Sequence, residues 1–182
     1  MSIKTVASTE IYRNRWLRLR EDRIQYEDGT DGIYSVVEKP DFAIIIPVDL
    51  VRRRLHLVEQ FRYPIGERRR EFPQGTWEEQ DAVDPADLAA GELREETGLT
   101  ADNMDYLGRL HVAYGLANQG MHVFLATGLT PGPTERAPEE QDMIALDMAI
   151  DDFDAAIGAG DITDNASLAA YLLAKLKRPD IF

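Results

Sequence analysis

Apolar and polar side chains alternate over residues 3–13 and 15–26, as in Trp16-Leu17-Arg18-Leu19-Arg20. A period of two sends successive side chains to opposite faces, so both segments are expected as half-buried strands. Asp28-Gly29-Thr30-Asp31-Gly32 reads as a turn, and residues 33–38 as a third strand. These elements predict a small antiparallel sheet, followed by a short linker at Lys39-Pro40-Asp41. Residues 42–49 and 55–61 are strongly β-prone, and Glu71-Phe72 reads as a shorter strand. A helix is expected over about 85–97, then strands over 103–114 and 121–127. Residues 130–141, rich in Pro, Gly and Glu, read as a loop, and 143–149 as a strand. A short helix over 151–158 has an acidic first turn, which suits the helix dipole. A longer helix over 163–178, capped near Thr163 or Asp164, places Leu168, Tyr171, Leu172 and Leu176 at helical spacing. The whole predicts an α+β chain: an α/β/α sandwich around a mixed sheet, preceded by a small N-terminal antiparallel β-unit. Neither an internal repeat nor a low-complexity segment interrupts it.

Composition narrows the class. The 182 residues suit one ordinary domain with a small extension, and 44% hydrophobic content is enough for a packed core. A net charge of −13 argues against a general basic face for nucleic acid. The charge is uneven: seven arginines fall between Arg52 and Arg70, and the chain after Gly75 is strongly acidic. The absence of cysteine excludes disulfides and thiolate metal sites. Met1-Ser2-Ile3-Lys4-Thr5-Val6 lacks the apolar core of a signal peptide, and the densest apolar run is too short to span a bilayer. A cytoplasmic protein without membrane contact is expected.

The chemistry concentrates in Gly91-Glu92-Leu93-Arg94-Glu95-Glu96-Thr97-Gly98-Leu99. Glu92, Glu95 and Glu96 fall at i, i+3 and i+4, a spacing that a helix gathers on one face. Like charges so placed repel, and a cation bound between them removes the repulsion. Hard oxygen ligands suit Mg²⁺ or Mn²⁺, which keep waters and also hold substrate phosphates. Taken alone, Glu-x-x-Glu-Glu is more often a solvated helix face. The flanks favour the functional reading. Asp84-Pro85 reads as an N-cap with proline in the first turn, and Asp87 follows three residues after the cap. Leu88, Ala89, Ala90 and Leu93 supply an apolar face, and Gly98 ends the helix. Glu71-Phe72-Pro73-Gln74-Gly75 precedes it as a strand running into a turn.

This order of strand, glycine loop, acidic helix and glycine stop resembles the Nudix box. That pattern is Gly, five residues, Glu, seven residues, then Arg-Glu-apolar-x-Glu-Glu-x-Gly-apolar. Gly75 matches the opening glycine, and Glu92 to Leu99 match the second half. Two features depart from it. The interval from Gly75 to Glu92 is two residues longer, with Ala82-Val83 read as an insertion. Gly91 stands where the box has an arginine, which in the family helps orient a box glutamate. The first box glutamate has three candidates, Glu78, Glu79 and Asp81.

Leu57-Val58-Glu59-Gln60-Phe61-Arg62-Tyr63-Pro64, followed by Glu71 to Gly75, is similar to the ADP-ribose pyrophosphatase branch of that family. So is a β-unit ahead of the Nudix domain. The resemblance implies residues 1–39 as a dimerisation unit and 40–182 as the Nudix domain, in a domain-swapped homodimer. It implies Mg²⁺-dependent attack of water on the diphosphate of a nucleoside diphosphate-sugar, with AMP and ribose 5-phosphate as products from ADP-ribose. The implied metal ligands are Gln74, through its backbone carbonyl, with Glu92, Glu95 and Glu96. The implied base lies on the late acidic loop at Glu139 or Glu140, with Glu95 as the other catalytic candidate. Arg62, Arg70 and Glu71 are the candidate substrate-binding residues. A guanidinium at position 62 can hold two phosphate oxygens at once, although a strand-end arginine in an ion pair is an equally ordinary reading. Arg68, Arg69 and Arg70 read as a solvated loop from which one can reach substrate. His56, His111 and His122 lack metal spacing and read as structural or surface residues. Trp16, Tyr34 and Phe42 can stack on a base, but packing accounts for any one of them. The rival readings are hydrolysis of another nucleoside diphosphate derivative, such as a GDP- or UDP-sugar, and a Nudix-fold module that senses such a ligand without cleaving it.

Overall fold

The computed structural model describes residues 2–76, 83–136 and 141–182. The chain divides into two compact units, one of Met1–Asp41 with His111–Gly120, the other of Phe42–Leu110 with Met121–Phe182. In the first unit, β1 (Ile3–Arg13), β2 (Arg18–Tyr26) and β3 (Asp31–Glu38) form an antiparallel sheet in sequence order. Register shifts interrupt the β1–β2 pairing between Thr5 and Ala7 and between Glu10 and Tyr12. The backbone of Val37 bonds to Leu116 and Asn118, which ties the 111–120 excursion to β3. Alternation correctly marks these strands, but β1 is not half-buried: all eleven of its residues are exposed.

The second unit is built on a mixed sheet in the order β10-β5-β4-β9-β8. Its strands are β4 (Phe42–Asp49), β5 (Arg54–Arg62), β8 (Leu99–His111), β9 (Gly120–Pro131) and β10 (Ile144–Ala149). β4 runs parallel to β9, while β5 is antiparallel to both β4 and β10. β4 is central, and its six interior residues Ala43 to Val48 are all buried. A strand buried on both faces reads as a continuous apolar run rather than an alternating one. Ala43 and Ile45 pack with Leu88, Ala89 and Leu93 of α1 (Pro85–Thr97) and with Phe124 and Ala126 of β9. α3 (Asn165–Lys177) also packs on β4, and α2 (Ile150–Ala159) on β10 and β5.

The splitting of the β4–β5 hairpin positions the site. The two strands pair only at Val48–Leu55 and Asp49–Arg54 and then part. Residues 67–75 fill the split. β6 (Glu67–Glu71) pairs with β5, and β7 (Gln74–Gly75) pairs with β4 at Ile44 and Ala43. Arg68, Arg69 and Arg70 therefore lie on a strand, not in the solvated loop expected above. The strand holds because their charges are met by carboxylates. Arg68 reaches Glu59 and Asp142, Arg69 reaches Glu67, and Arg70 lies 3.4 Å from Glu59, its cross-strand partner.

α1 begins and ends where the sequence predicts. The Asp84 carboxylate accepts from the Ala86 amide, Pro85 opens the helix, and Gly98 at φ +73° closes it by donating to the Arg94 carbonyl. A Cβ at residue 98 would lie 2.3 Å from the Gly132 carbonyl oxygen. Gly98→Ala combines a left-handed backbone with that clash, so a stability loss on the order of 1–3 kcal/mol is expected. Urea unfolding of the two proteins measures it, and equal midpoints contradict the assigned close approach.

Candidate active site

Two of the three helix glutamates turn inward. Glu96 is 1% exposed and Glu92 6%, one helical turn apart, whereas Glu95 is only partly covered and lies beside Arg94. Both inward carboxylates are held against β7. Glu96 Oε2 accepts from the Gln74 amide at 3.1 Å. The Glu92 carboxylate lies over Gly75 so closely that a Cβ there would meet Oε2 at 2.4 Å. Glycine at 75 thus leaves room for the carboxylate stacked on it, and its backbone angles do not demand it. The peptide bearing the Gln74 carbonyl is flanked by two buried carboxylates.

The Gln74 side chain is fixed from the other direction. Its Nε2 donates to Asp164 Oδ2 at 3.2 Å. Asp164 caps α3, accepting from the Ser167 amide and hydroxyl at 2.8 and 2.7 Å. The fully buried Ser167 hydroxyl in turn accepts from the Phe72 amide at 2.9 Å. The N-terminus of α3 therefore grips the segment at two points. Asp164 is legible as a cap from the sequence, but its reach to Gln74, ninety residues away, is not. The pairing of Asp164 with a serine three residues later is the only local signal of it.

Beside this lies a second polar group. Glu71, 1% exposed, accepts from Nε and Nη2 along one edge of the Arg62 guanidinium and, at 2.6 Å, from the Gln60 amide. Arg62 keeps 40% of its side chain in solvent. Burial pushes the Glu71 carboxyl up from its ordinary range, against the opposing pull of Arg62, and nearby Asp164 adds to the rise. Arg70 is half-exposed and engaged with Glu59 on the far strand.

The C-terminal end of α1 is laced to the chain that follows β9. The Glu135 amide donates to the Glu95 carbonyl at 3.0 Å. The Arg136 guanidinium donates twice to the Glu96 carbonyl, at 3.1 and 2.9 Å, and also to the Met143 carbonyl. Arg136 is a positional tie that no sequence pattern announced. Glu139 and Glu140 lie outside the described residues, as do Glu78, Glu79, Asp81 and Ala82 of the box interval. His122 shares a hydrogen bond with Tyr106, and Trp16 is exposed beneath the Arg15 guanidinium.

A family model for the NUDIX domain matches residues 39–165. The chain belongs to the Nudix family. A model for the N-terminal domain of nucleoside diphosphate sugar hydrolases matches residues 3–37. The ADP-ribose pyrophosphatase of Mycobacterium tuberculosis is 31% identical over 93% of this chain and 81% of its own length. A methanol dehydrogenase activator of Bacillus methanolicus is 27% identical over 79% of this chain and 76% of its own. A solved structure described as an ADP compounds hydrolase shares the fold at a TM-score of 0.84, with 16% identity, over 99% of this chain and 96% of that one. The chain is a Nudix hydrolase of the ADP-ribose pyrophosphatase-like branch, acting on a diphosphate anhydride.

Nudix hydrolases use a divalent metal, and the residues present fit one. Glu92 and Glu96, both set against the Gln74-Gly75 segment, and the Gln74 carbonyl are hard oxygen donors that could hold Mg²⁺ or Mn²⁺. Among the described residues no three His, Cys, Asp or Glu side chains converge on one point. Two carboxylates and a carbonyl would leave positions for water and phosphate oxygen, as such cations prefer.

Two outcomes are expected here. Gly75→Ala displaces the Glu92 carboxylate, so turnover should fall by roughly 10²-fold while the fold persists; circular dichroism beside steady-state rates checks this. Glu71 holds its proton more tightly folded than unfolded. Its contribution to stability is full below the unfolded pKa and is lost as pH rises through the raised folded value. Glu71→Gln should remove that dependence, flattening the fall of Tm above the ordinary glutamate range in metal-free buffer.

Proposed function

We propose that the chain hydrolyses the diphosphate of a nucleoside diphosphate-sugar in a Mg²⁺-dependent reaction, with ADP-ribose cleaved to AMP and ribose 5-phosphate. The observation that carries this is the mounting of a buried carboxylate pair, Glu92 and Glu96, and a half-exposed guanidinium, Arg62, on one five-residue segment, Glu71 to Gly75. An anhydride needs both features: oxygens for the cation that neutralises phosphate, and a planar fork for the phosphate oxygens. The N-terminal family match and the M. tuberculosis relative point to nucleoside diphosphate-sugars within that chemistry.

In this reading Arg62 and Arg70 bind the diphosphate. The water oxygen bonds to one phosphorus, the bridging P–O bond breaks, and the bridging oxygen leaves on the other phosphate. A bound divalent cation supplies charge neutralisation and lowers the pKa of its water. Glu139 or Glu140 accepts the water proton, with Glu95 as the other candidate.

A second reading, a module that binds such a ligand without cleaving it, draws on Gly91, which is buried in α1 and offers no guanidinium to a box glutamate. Turnover separates the two. ADP-ribose, UDP- and GDP-sugars, dinucleotides and nucleoside triphosphates are assayed with Mg²⁺ and with EDTA. Metal-dependent cleavage fastest on ADP-ribose is expected; tight binding without cleavage of any compound selects the second reading. In the active protein, Glu96→Gln should lower kcat on the order of 10²–10⁴-fold, because a ligand charge is lost at nearly constant shape.

The same reading makes the protein a homodimer. β1 exposes Ile3, Val6, Ile11 and Tyr12 along an edge strand, an arrangement that a second copy can cover. Light scattering at micromolar concentration should give twice the mass of the chain, and a monomer there refutes it.

A further inference from the structure

We infer that Glu71 is a positioning residue, which holds the Arg62 guanidinium in the orientation that receives the substrate diphosphate. The inference rests on the proposed reading of Arg62.

Glu71 cannot easily act on a substrate directly, since 99% of it is covered by protein. Arg62 is its opposite, with two fifths of its side chain in water. The carboxylate takes Nε of Arg62 on one oxygen at 3.1 Å and Nη2 on the other, which is the fork geometry. Used this way, one edge of the guanidinium faces the protein, and the edge that includes Nη1 is left for another acceptor. A long, otherwise flexible side chain is thereby reduced to one direction before any ligand arrives, and the ordering cost of binding is lowered.

Glu71 is itself held. Gln60 donates to it at 2.6 Å from β5, two residues before Arg62 on the same strand. Phe72, the next residue, is fastened by its amide to Ser167. Arg62 and Glu71 approach each other across the β5–β6 ladder, where Arg62 pairs with Glu67 and Val58 with Glu71. Their side chains therefore meet diagonally along the strand direction. The carboxylate also stands three residues from Gln74, so the guanidinium and the Gln74 carbonyl are set by a single short run of backbone.

The experiment measures affinity for a methylene-bridged ADP-ribose analogue by calorimetry, for wild type, Glu71→Gln, Arg62→Ala and the double variant, with Mn²⁺ affinity and Tm recorded alongside. Glu71→Asp serves as a second probe if Glu71→Gln does not fold. Glu71→Gln is expected to weaken the analogue on the order of tenfold and leave Mn²⁺ affinity unchanged. In the Arg62→Ala background the Glu71 change should have no further effect, because the group it positions is gone. A purely structural role would lower Tm equally in both backgrounds without this non-additivity. The inference is overturned if Glu71→Gln binds the analogue like wild type, or if its loss is the same with and without Arg62. If wild type itself neither binds the analogue nor cleaves ADP-ribose, the substrate reading fails first, and that result is distinct from either of these.

Discussion

Burial of Glu92 and Glu96, one turn apart on α1, is the constraint from which the rest of the site follows. Two carboxylates at i and i+4 repel, and each gives up water when covered. Such a pair persists only where other interactions fix the helix. Leu88, Ala89 and Leu93 seat α1 on β4 and β9 with almost no exposed surface. Asp84 and Gly98 close its two ends, and Arg136 caps the last turn from outside, where a cation is favoured by the helix dipole. The apolar face of the helix thus sets the position of its acidic face, which on the proposed reading is where a divalent cation would bind.

What the carboxylates face is decided by the sheet. If β4 and β5 stayed paired along their length, the edge beside α1 would carry strand backbone with all its groups in the ladder. Because they part after two residue pairs, β6 and β7 enter between them, and the Gln74-Gly75 peptide comes up under the helix. At Gly75 the space of a Cβ is occupied by the Glu92 carboxylate, so any side chain there would have to displace it. α3 fastens the same segment through Asp164 and Ser167. Elements far apart in sequence therefore converge on five residues, which agrees with a site that must be held rigidly for its charges to be effective.

Local signals carried much of this. The cap, proline and glycine around α1 mark its limits, because each answers a backbone requirement within one turn. β4 is legible because six covered apolar residues in a row suit a strand buried on both faces. The failures have the same kind of cause. Arg68-Arg69-Arg70 reads as loop because charge normally seeks water, whereas here carboxylates that include Glu59 and Asp142, supplied by other elements, meet that charge on a strand. Alternation in β1 describes two different faces without saying that either is covered. The links from Gln74 to Asp164 and from Glu96 to Arg136 join distant positions through single side chains, which no periodicity encodes. Of the chemistry, the helix glutamates were readable from their spacing; that two point inward and Glu95 lies partly exposed depends on how α1 is rotated on β4.

The described site is general in one respect that bears on specificity. On the proposed reading, carboxylates, a peptide carbonyl and an arginine fork would recognise a cation and a diphosphate, and the diphosphate is common to every nucleoside diphosphate-sugar. Strong discrimination between bases needs polar groups that are left unpaired by the wrong partner. No group of the Glu71–Gly75 segment is of that kind: Gln74, its only neutral polar side chain, is already committed to Asp164. On that reading, selection of base and sugar falls to surfaces beyond this segment. The core of the site can remain constant while those surfaces vary, and a fold that separates the two tasks can serve many substrates with one hydrolytic centre.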